Sequence, residues 1–316
     1  MKKKILIGVS SCLLGQPVRF DGGHKKDRYL MDVLSEYFEW LPICPELEVG
    51  MGVPRESVKL VGLPDAPEMI GNKSGKNWTT LMNQYAEKKM HSISKKGICG
   101  YILKKDSPTC GIERVRVYNS KGIPAKNGQG LYARVLIETY PLLPVEEEGR
   151  LTDPALRESF IIRVFGYARL QDQLLNNFSK KALVQFHTEN KYLIMAHSPS
   201  HYKTMGRFVA EMKSSSLQKL AQEYGDLFMQ ALAVKTTIKK NINVLSHIFG
   251  YLKNHLNAEE KKDILKTIDD YHQGYIPLIV PLTLLKHYIS KWNIEYILDQ
   301  SYLNPHPKEL MLRNHV

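Results

Sequence analysis

The 316-residue chain holds only four cysteines, Cys12, Cys44, Cys99 and Cys110, and none follows residue 110. So few, so unevenly placed, do not make a disulfide scaffold. In a reducing compartment such a set more often serves metal binding or catalysis. Uninterrupted apolar runs are also missing. None approaches the ~18 residues that a membrane span needs. The basic start is followed by a short apolar stretch, residues 5–9, which is too brief for the core of a leader peptide. It reads as a first β-strand and places the protein in the cytoplasm. Histidine is scarce early, since His24 and His91 are the only two of eleven before residue 150. There is no internal repeat and no low-complexity tract.

What is present is ordinary globular material, 43% hydrophobic and 24% charged. At roughly 100–200 residues per domain, the length suggests two domains. The net charge of +12 favours an anionic partner. It does not choose among a nucleotide phosphate, nucleic acid and a lipid surface. The charge divides evenly between the halves, so neither is an obvious nucleic-acid arm, and no RNA-module signature occurs.

The first half alternates strand and helix patterns. Strands are expected at residues 4–9, 40–43 and 98–103, and helices at 27–38 and 77–96. The segments 113–119 and 131–141 look β-like. This order predicts an α/β domain with a mostly parallel, Rossmann-like sheet. Two prolines, three consecutive glutamates and a glycine at 141–153 interrupt every periodic pattern and mark a boundary. We place the domains at 1–145 and 146–316. The second half reads as an all-α bundle, with helices expected at about 154–176, 179–196, 200–213, 216–234, 236–256, 258–272 and 281–299. Asp153 before Pro154 is a helix start, and Asn257 with Glu260 resembles a capping box.

Three cysteines sit just beyond expected strand ends: Cys12 after the first, Cys44 after the second, Cys110 a few residues past the third. In an open parallel sheet such ends face one crevice, provided the strand order brings them together. Thiolates suit zinc or iron–sulfur clusters. A structural zinc wants a fourth ligand, and no C-x-x-C pair is present. Three cysteines on a 4Fe–4S cluster would leave one iron open. Cys99, among apolar neighbours at the other end of its strand, reads as a buried structural thiol.

The motifs S-x-C-L-x-G-x-x-V-R-x-D-G at Ser10 to Gly22, C-P-E…G-x-G-x-P-R at Cys44 to Arg55, and K-x-x-S-P-x-C-G at Lys104 to Gly111 resemble the thiouracil desulfidase family over about residues 1–145. The helical half resembles a domain often fused to it, with markers at Glu146–Leu151, Phe186-His187-Thr188 and His197-Ser198-Pro199. The two-domain form resembles desulfidases acting on thiouridine monophosphates salvaged from modified tRNA. The resemblance implies a 4Fe–4S cluster on Cys12, Cys44 and Cys110, not Cys99, with one open iron. It assigns Glu46 and Ser107 as acid–base and hydrogen-bonding residues. The expected activity is non-redox hydrolysis of a C–S bond: the open iron binds the substrate sulfur, Glu46 activates water, and a thiolated uracil nucleotide becomes the uracil form plus hydrogen sulfide. A small thiolated pyrimidine nucleotide, rather than intact nucleic acid or a membrane, is the expected partner. The motifs depart from the family only at Thr109, where serine is common. A different class of reading keeps the cysteines as zinc ligands in a non-catalytic nucleic-acid-binding or protein-docking module.

Other features carry less. Asp21-Gly22-Gly23-His24 is a turn by composition, and Arg19 and Asp21 either shape the site or pair with each other. Residues 71–76 precede a helix without the P-loop spacing. They read as a solvated basic loop or, less specifically, a phosphate cradle. Residues 126–130 are a flexible loop. His187, His197 and His201 suggest packing, or phosphate contact with Lys203 and Arg207, rather than a metal site, because Pro199 breaks the helix between them.

Overall fold

The computed structural model describes residues 4–176, 178–212 and 216–315. Residues 1–3 of the basic start, and Lys213 at the end of the expected helix 200–213, lie outside the described residues. The chain divides into two compact units, Met1–Asp153 and Pro154–Val316. The division therefore falls at Asp153 rather than after residue 145.

The strands of the first unit are β1 (Ile5–Ser10), β2 (Phe38–Ile43), β3 (Val58–Leu63), β4 (Ala66–Gly71), β5 (Tyr101–Leu103), β6 (Val115–Tyr118), β7 (Pro124–Gly128) and β8 (Val145–Glu147). They form two sheets. One, in the order β2-β1-β5-β8, is parallel throughout. Its central strands β1 and β5 are buried on both faces, with Ile7, Val9, Tyr101 and Ile102 at 0% exposure. Each such side chain contributes about 1.5–3 kcal/mol of burial. The second sheet, β4-β3-β6-β7, is mixed, two hairpins joined by a parallel β3–β6 pair. Gly62 and Pro67 interrupt any clean alternation in its first hairpin, which is why the sequence pattern does not announce it.

Two local expectations change. Residues 27–38 form no regular helix; a wide π turn (Tyr29–Val33) runs into a 3-10 turn (Leu34–Glu36), burying Leu30 and Leu34. The β-like segment 131–141 is helix. The helices of this unit are α1 (Pro45–Glu48), α2 (Thr79–Ser94) and α3 (Leu131–Thr139). In α3 the β-branched content suggests a strand, but Leu131, Tyr132 and Leu136 go into the core and the helix packs on α2. Tertiary burial overrides that propensity.

The second unit is helical: α4 (Pro154–Leu170), α5 (Lys180–His197), α6 (Pro199–Ala210), α7 (Leu217–Ala233), α8 (Ile238–Leu252), α9 (Ala258–His272), α10 (Ile279–Lys291) and α11 (Glu295–Leu298). Ser179, Ser198, Ser216, Thr237 and Asn257 each start a helix by accepting a backbone N–H of its first turn. The capping box of α9 is complete, with Glu260 N–H to Asn257 at 2.8 Å and Asn257 N–H to Glu260 at 3.0 Å. The expected helix 281–299 is broken because Asn293 takes a left-handed conformation at φ 47°. No helix among the described residues is long and apolar enough to cross a membrane.

Candidate active site

Strand order decides whether the three cysteines meet. β1 lies between β2 and β5, with Ser10 opposite Ile43. The chain leaves β1 toward β2 on one side, and β5 flanks the other, so the three strand ends are neighbours at a switch point. Cys12 follows β1 in a 3-10 turn (Ser11–Leu14), closed by Gly15 at φ 87°. Cys44 caps the single helical turn of α1, with Pro45 at its first position. Cys110 follows β5 after a reversal at Asp106, φ 59°. All three line one cavity of about 320 Å³, together with Glu46 and Ser107. Cys99 lies outside that lining; it is 7% exposed, with its Sγ 3.6 Å from the Gly97 carbonyl.

The carboxylate of Glu46 is fixed from both sides. Arg55 donates Nε at 3.0 Å and also Nη2 to one oxygen, and Thr109 Oγ1 donates to the other at 2.8 Å. Arg55 is itself anchored, its Nη1 donating to the carbonyls of Val18 at 3.0 Å and Gly52 at 2.9 Å. Ser107 has a different place from a free catalytic hydroxyl. Its Oγ accepts the backbone N–H groups of Thr109 at 3.2 Å and Cys110 at 3.1 Å, shaping the ligand loop. Its own O–H remains to donate.

Glu146 to Glu148, read from the sequence as part of the boundary and as markers of the helical half, belong to the first unit. The acidic run that marks the boundary is part of the scaffold. Glu147 accepts Ile112 N–H at 2.7 Å, and Glu148 accepts Lys105 N–H at 2.8 Å and pairs with Lys104 Nζ. Both clamp the segment that carries Cys110. Arg55 and Thr109 were visible only as motif letters; nothing in their spacing told that both reach Glu46.

Other candidates resolve locally. Arg19 and Asp21 do pair, at 3.7 Å. The loop 71–76 is filled by the protein's own anion: Glu56 accepts Lys73 N–H at 2.6 Å, Ser74 N–H at 2.9 Å and the Ser74 hydroxyl. The loop 126–130 packs on the Cys110 segment, with Gly130 N–H donated to Gly111 at 2.8 Å. His187, His197 and His201 have separate partners in Tyr224, Val234 and Ser198.

The thiols resist ionisation as they stand. Burial, then Cys44, pushes Cys12 up to about 11. Burial likewise raises Cys44 and, well above its ordinary value, Cys110. Thiolates here need a compensating positive charge, which metal supplies. Among the described residues no group of three or more His, Cys, Asp or Glu is gathered tightly enough for a single metal ion. Three cysteines spread around one roomy cavity fit a cluster, whose irons each take one thiolate.

Residues 7–148 match the family model described as 2-thiouracil desulfurase. Over 111 residues the chain is 31% identical to "Uncharacterized protein YbbK" of Bacillus subtilis (strain 168), a match covering 34% of this chain and 73% of that protein. The chain belongs to the 2-thiouracil desulfurase family. Among solved structures, a 4Fe-4S-dependent thiouracil desulfidase, TudS, is 31% identical and aligns over 50% of this chain and 99% of its own, with a TM-score of 0.40. Residues 191–307 match a second family model, "Protein of unknown function (DUF1722)". "Uncharacterized protein YbgA" of Escherichia coli (strain K12) is 28% identical over 158 residues, 50% of this chain and 94% of that one. The site described above thus lies within the segment that the 2-thiouracil desulfurase model covers.

Proposed function

We propose that this member of the family is a desulfidase of thiolated uracil nucleotides, 4-thiouridine monophosphate or a related 2- or 4-thiouracil compound, working in the cytoplasm with a 4Fe–4S cluster on Cys12, Cys44 and Cys110. The observation that carries the reading is the meeting of three cysteines and an oriented carboxylate on one cavity. A relative that is 4Fe-4S-dependent supports the choice of cofactor. When bound, a cluster with three protein ligands supplies a Lewis-acidic iron suited to soft sulfur.

The chain's own residues do the rest. Glu46, held by Arg55 and Thr109, takes a proton from water as the water oxygen bonds to the thiocarbonyl carbon. The C–S bond breaks, and sulfur leaves as hydrosulfide. The oxidation states of carbon and sulfur are unchanged, so no electron donor is needed. Ser107 donates its O–H to the base or to the water. Arg19, Lys25 and Lys105 line the same cavity. These cationic side chains around one cavity suit a substrate phosphate.

The test is anaerobic preparation followed by turnover of 2- and 4-thiouracil, their nucleosides and their monophosphates. The reading expects a brown protein with about four irons per chain and sulfide released fastest from a monophosphate. A colourless, zinc-loaded protein that releases no sulfide would support the non-catalytic module instead.

A further inference from the structure

The helical unit holds its own cavity of about 250 Å³, which the desulfidase reading leaves unused. Its wall carries polar groups whose burial is costly unless they are satisfied. His197 is 1% exposed, its Nδ1 lies 2.8 Å from the Val234 carbonyl, and its Nε2 is buried with no hydrogen-bond partner. A carbonyl only accepts, so Nδ1 carries the ring proton and Nε2 is left as a bare lone pair. Burial, the largest cause, lowers the ring's pKa to about 4, so the imidazole is neutral near pH 7.

Positive groups face the same space. Arg313, 6% exposed, donates Nε to Glu158 at 3.3 Å and Nη1 to the Tyr302 carbonyl at 2.7 Å. His315 Nε2 lies 2.8 Å from the other Glu158 oxygen, so that carboxylate is already engaged. The N-terminus of the 15-residue helix α8 opens on the cavity through Thr236, Thr237 and Ile238. Thr237 takes the N–H groups of Lys240 and Asn241 through its side chain and carbonyl. The N–H groups of Ile238 and Lys239 have no acceptor among the described residues, as first-turn donors of a helix do not within the helix itself.

This combination is selective. A helix N-terminus and a guanidinium favour an anion. A bare imidazole nitrogen demands that the same ligand also give a proton. Sulfate offers only lone pairs, whereas a phosphate that keeps one O–H meets both requirements. We propose that this cavity binds a protonated phosphate group, as inorganic hydrogen phosphate or as a terminal phosphate monoester. Its O–H is donated to His197 Nε2, and its other oxygens accept from the start of α8 and from Arg313. A metal cation is disfavoured by Arg313, and no qualifying group of ligands is placed for one among the described residues. An organic ammonium meets the same positive charges. The proposal is independent of the reading of the first unit.

Hydrogen exchange on the full chain tests it, read on peptides covering residues 194–198 and 236–241. The ligands are inorganic phosphate, uridine 5′-monophosphate and sulfate at matched ionic strength. Phosphate or the monophosphate slows exchange at both segments by roughly tenfold, and sulfate does not. Which of the two saturates at lower concentration tells a free from a nucleotide-borne phosphate. Ala155, exposed on the cavity rim, gives the variant least able to disturb folding. Ala155→Trp abolishes the protection, and His197→Phe removes the preference over sulfate. Equal protection by sulfate, no protection by any of the three, or protection that survives Ala155→Trp overturns the proposal.

Discussion

Glu46 is held at both oxygens, and the fixing residues come from distant parts of the chain. If this carboxylate is the general base, Glu46→Gln lowers turnover by about 10²–10⁴-fold while iron content stays at the wild-type level; retained turnover with full iron would remove Glu46 from the mechanism. Arg55 has its guanidinium engaged by Glu46 and by the Val18 and Gly52 carbonyls, which makes it a positioning residue in this mechanism. Arg55→Met is expected to cost about 10²-fold, mainly in kcat rather than KM, and Arg55→Lys to restore part of it; a loss confined to KM would place Arg55 in substrate binding instead. Cys99 is the control among the cysteines. Cys99→Ala should keep both iron and sulfide release, whereas alanine at Cys12, Cys44 or Cys110 should lose iron. At this scale much was legible. Each cysteine and Glu46 stood out because strand ends and motif spacing mark them. Arg55, Thr109 and the clamping glutamates did not, because a side chain's reach across the chain depends on loops whose paths the spacing does not fix.

The site is carried by close approaches between elements. A Cβ on Gly8 of β1 would lie 2.3 Å from the Tyr101 ring of β5, and one on Gly130 would lie 2.5 Å from the Thr109 backbone. Gly130 therefore lets the start of α3 press on the Cys110 segment. Gly130→Ala should displace that segment and destabilise the first unit by about 1–3 kcal/mol, with iron incorporation lost before the fold is. An unchanged melting temperature with full iron would show that the segment yields freely. In the helical unit, Asn257→Ala removes one half of the α9 capping box and should cost about 1 kcal/mol, read as a lower denaturant midpoint. The capping signals were plain in sequence because they act within four residues. The helix α3 and the β3–β4 hairpin were not, because their apolar positions make sense only against α2 and β6. The acidic run 146–148 looked like a linker for the same reason: its partners, Ile112, Lys104 and Lys105, are remote in sequence.

Across the whole chain, the helical unit is the one whose buried histidines tie stability to acid. In the helical unit, His187, His197 and His306 are each lowered to about 4, chiefly by burial. Unfolded histidine titrates near ~6.5. Between these values the unfolded chain binds protons that the folded unit does not, so stability is full above about pH 6.5 and falls as pH drops toward 4. Thermal melts of the full chain across that range should show the helical transition falling with pH; a flat profile would mean that these rings are not buried neutral. The scarcity of cysteine and the charge of +12 take on a spatial meaning. Three thiols meet on one cavity, and part of the positive charge lines it in Arg19, Lys25 and Lys105. Removal of sulfur from a thiolated uracil in this cavity is the activity proposed. It is tested most directly by mixing anaerobically purified, iron-loaded protein with 4-thiouridine monophosphate and measuring sulfide and uridine monophosphate together, with no reductant added. Equal amounts of both are expected, lost in Glu46→Gln at unchanged iron content. Absence of sulfide from an iron-loaded protein across thiolated uracil bases, nucleosides and monophosphates would contradict it.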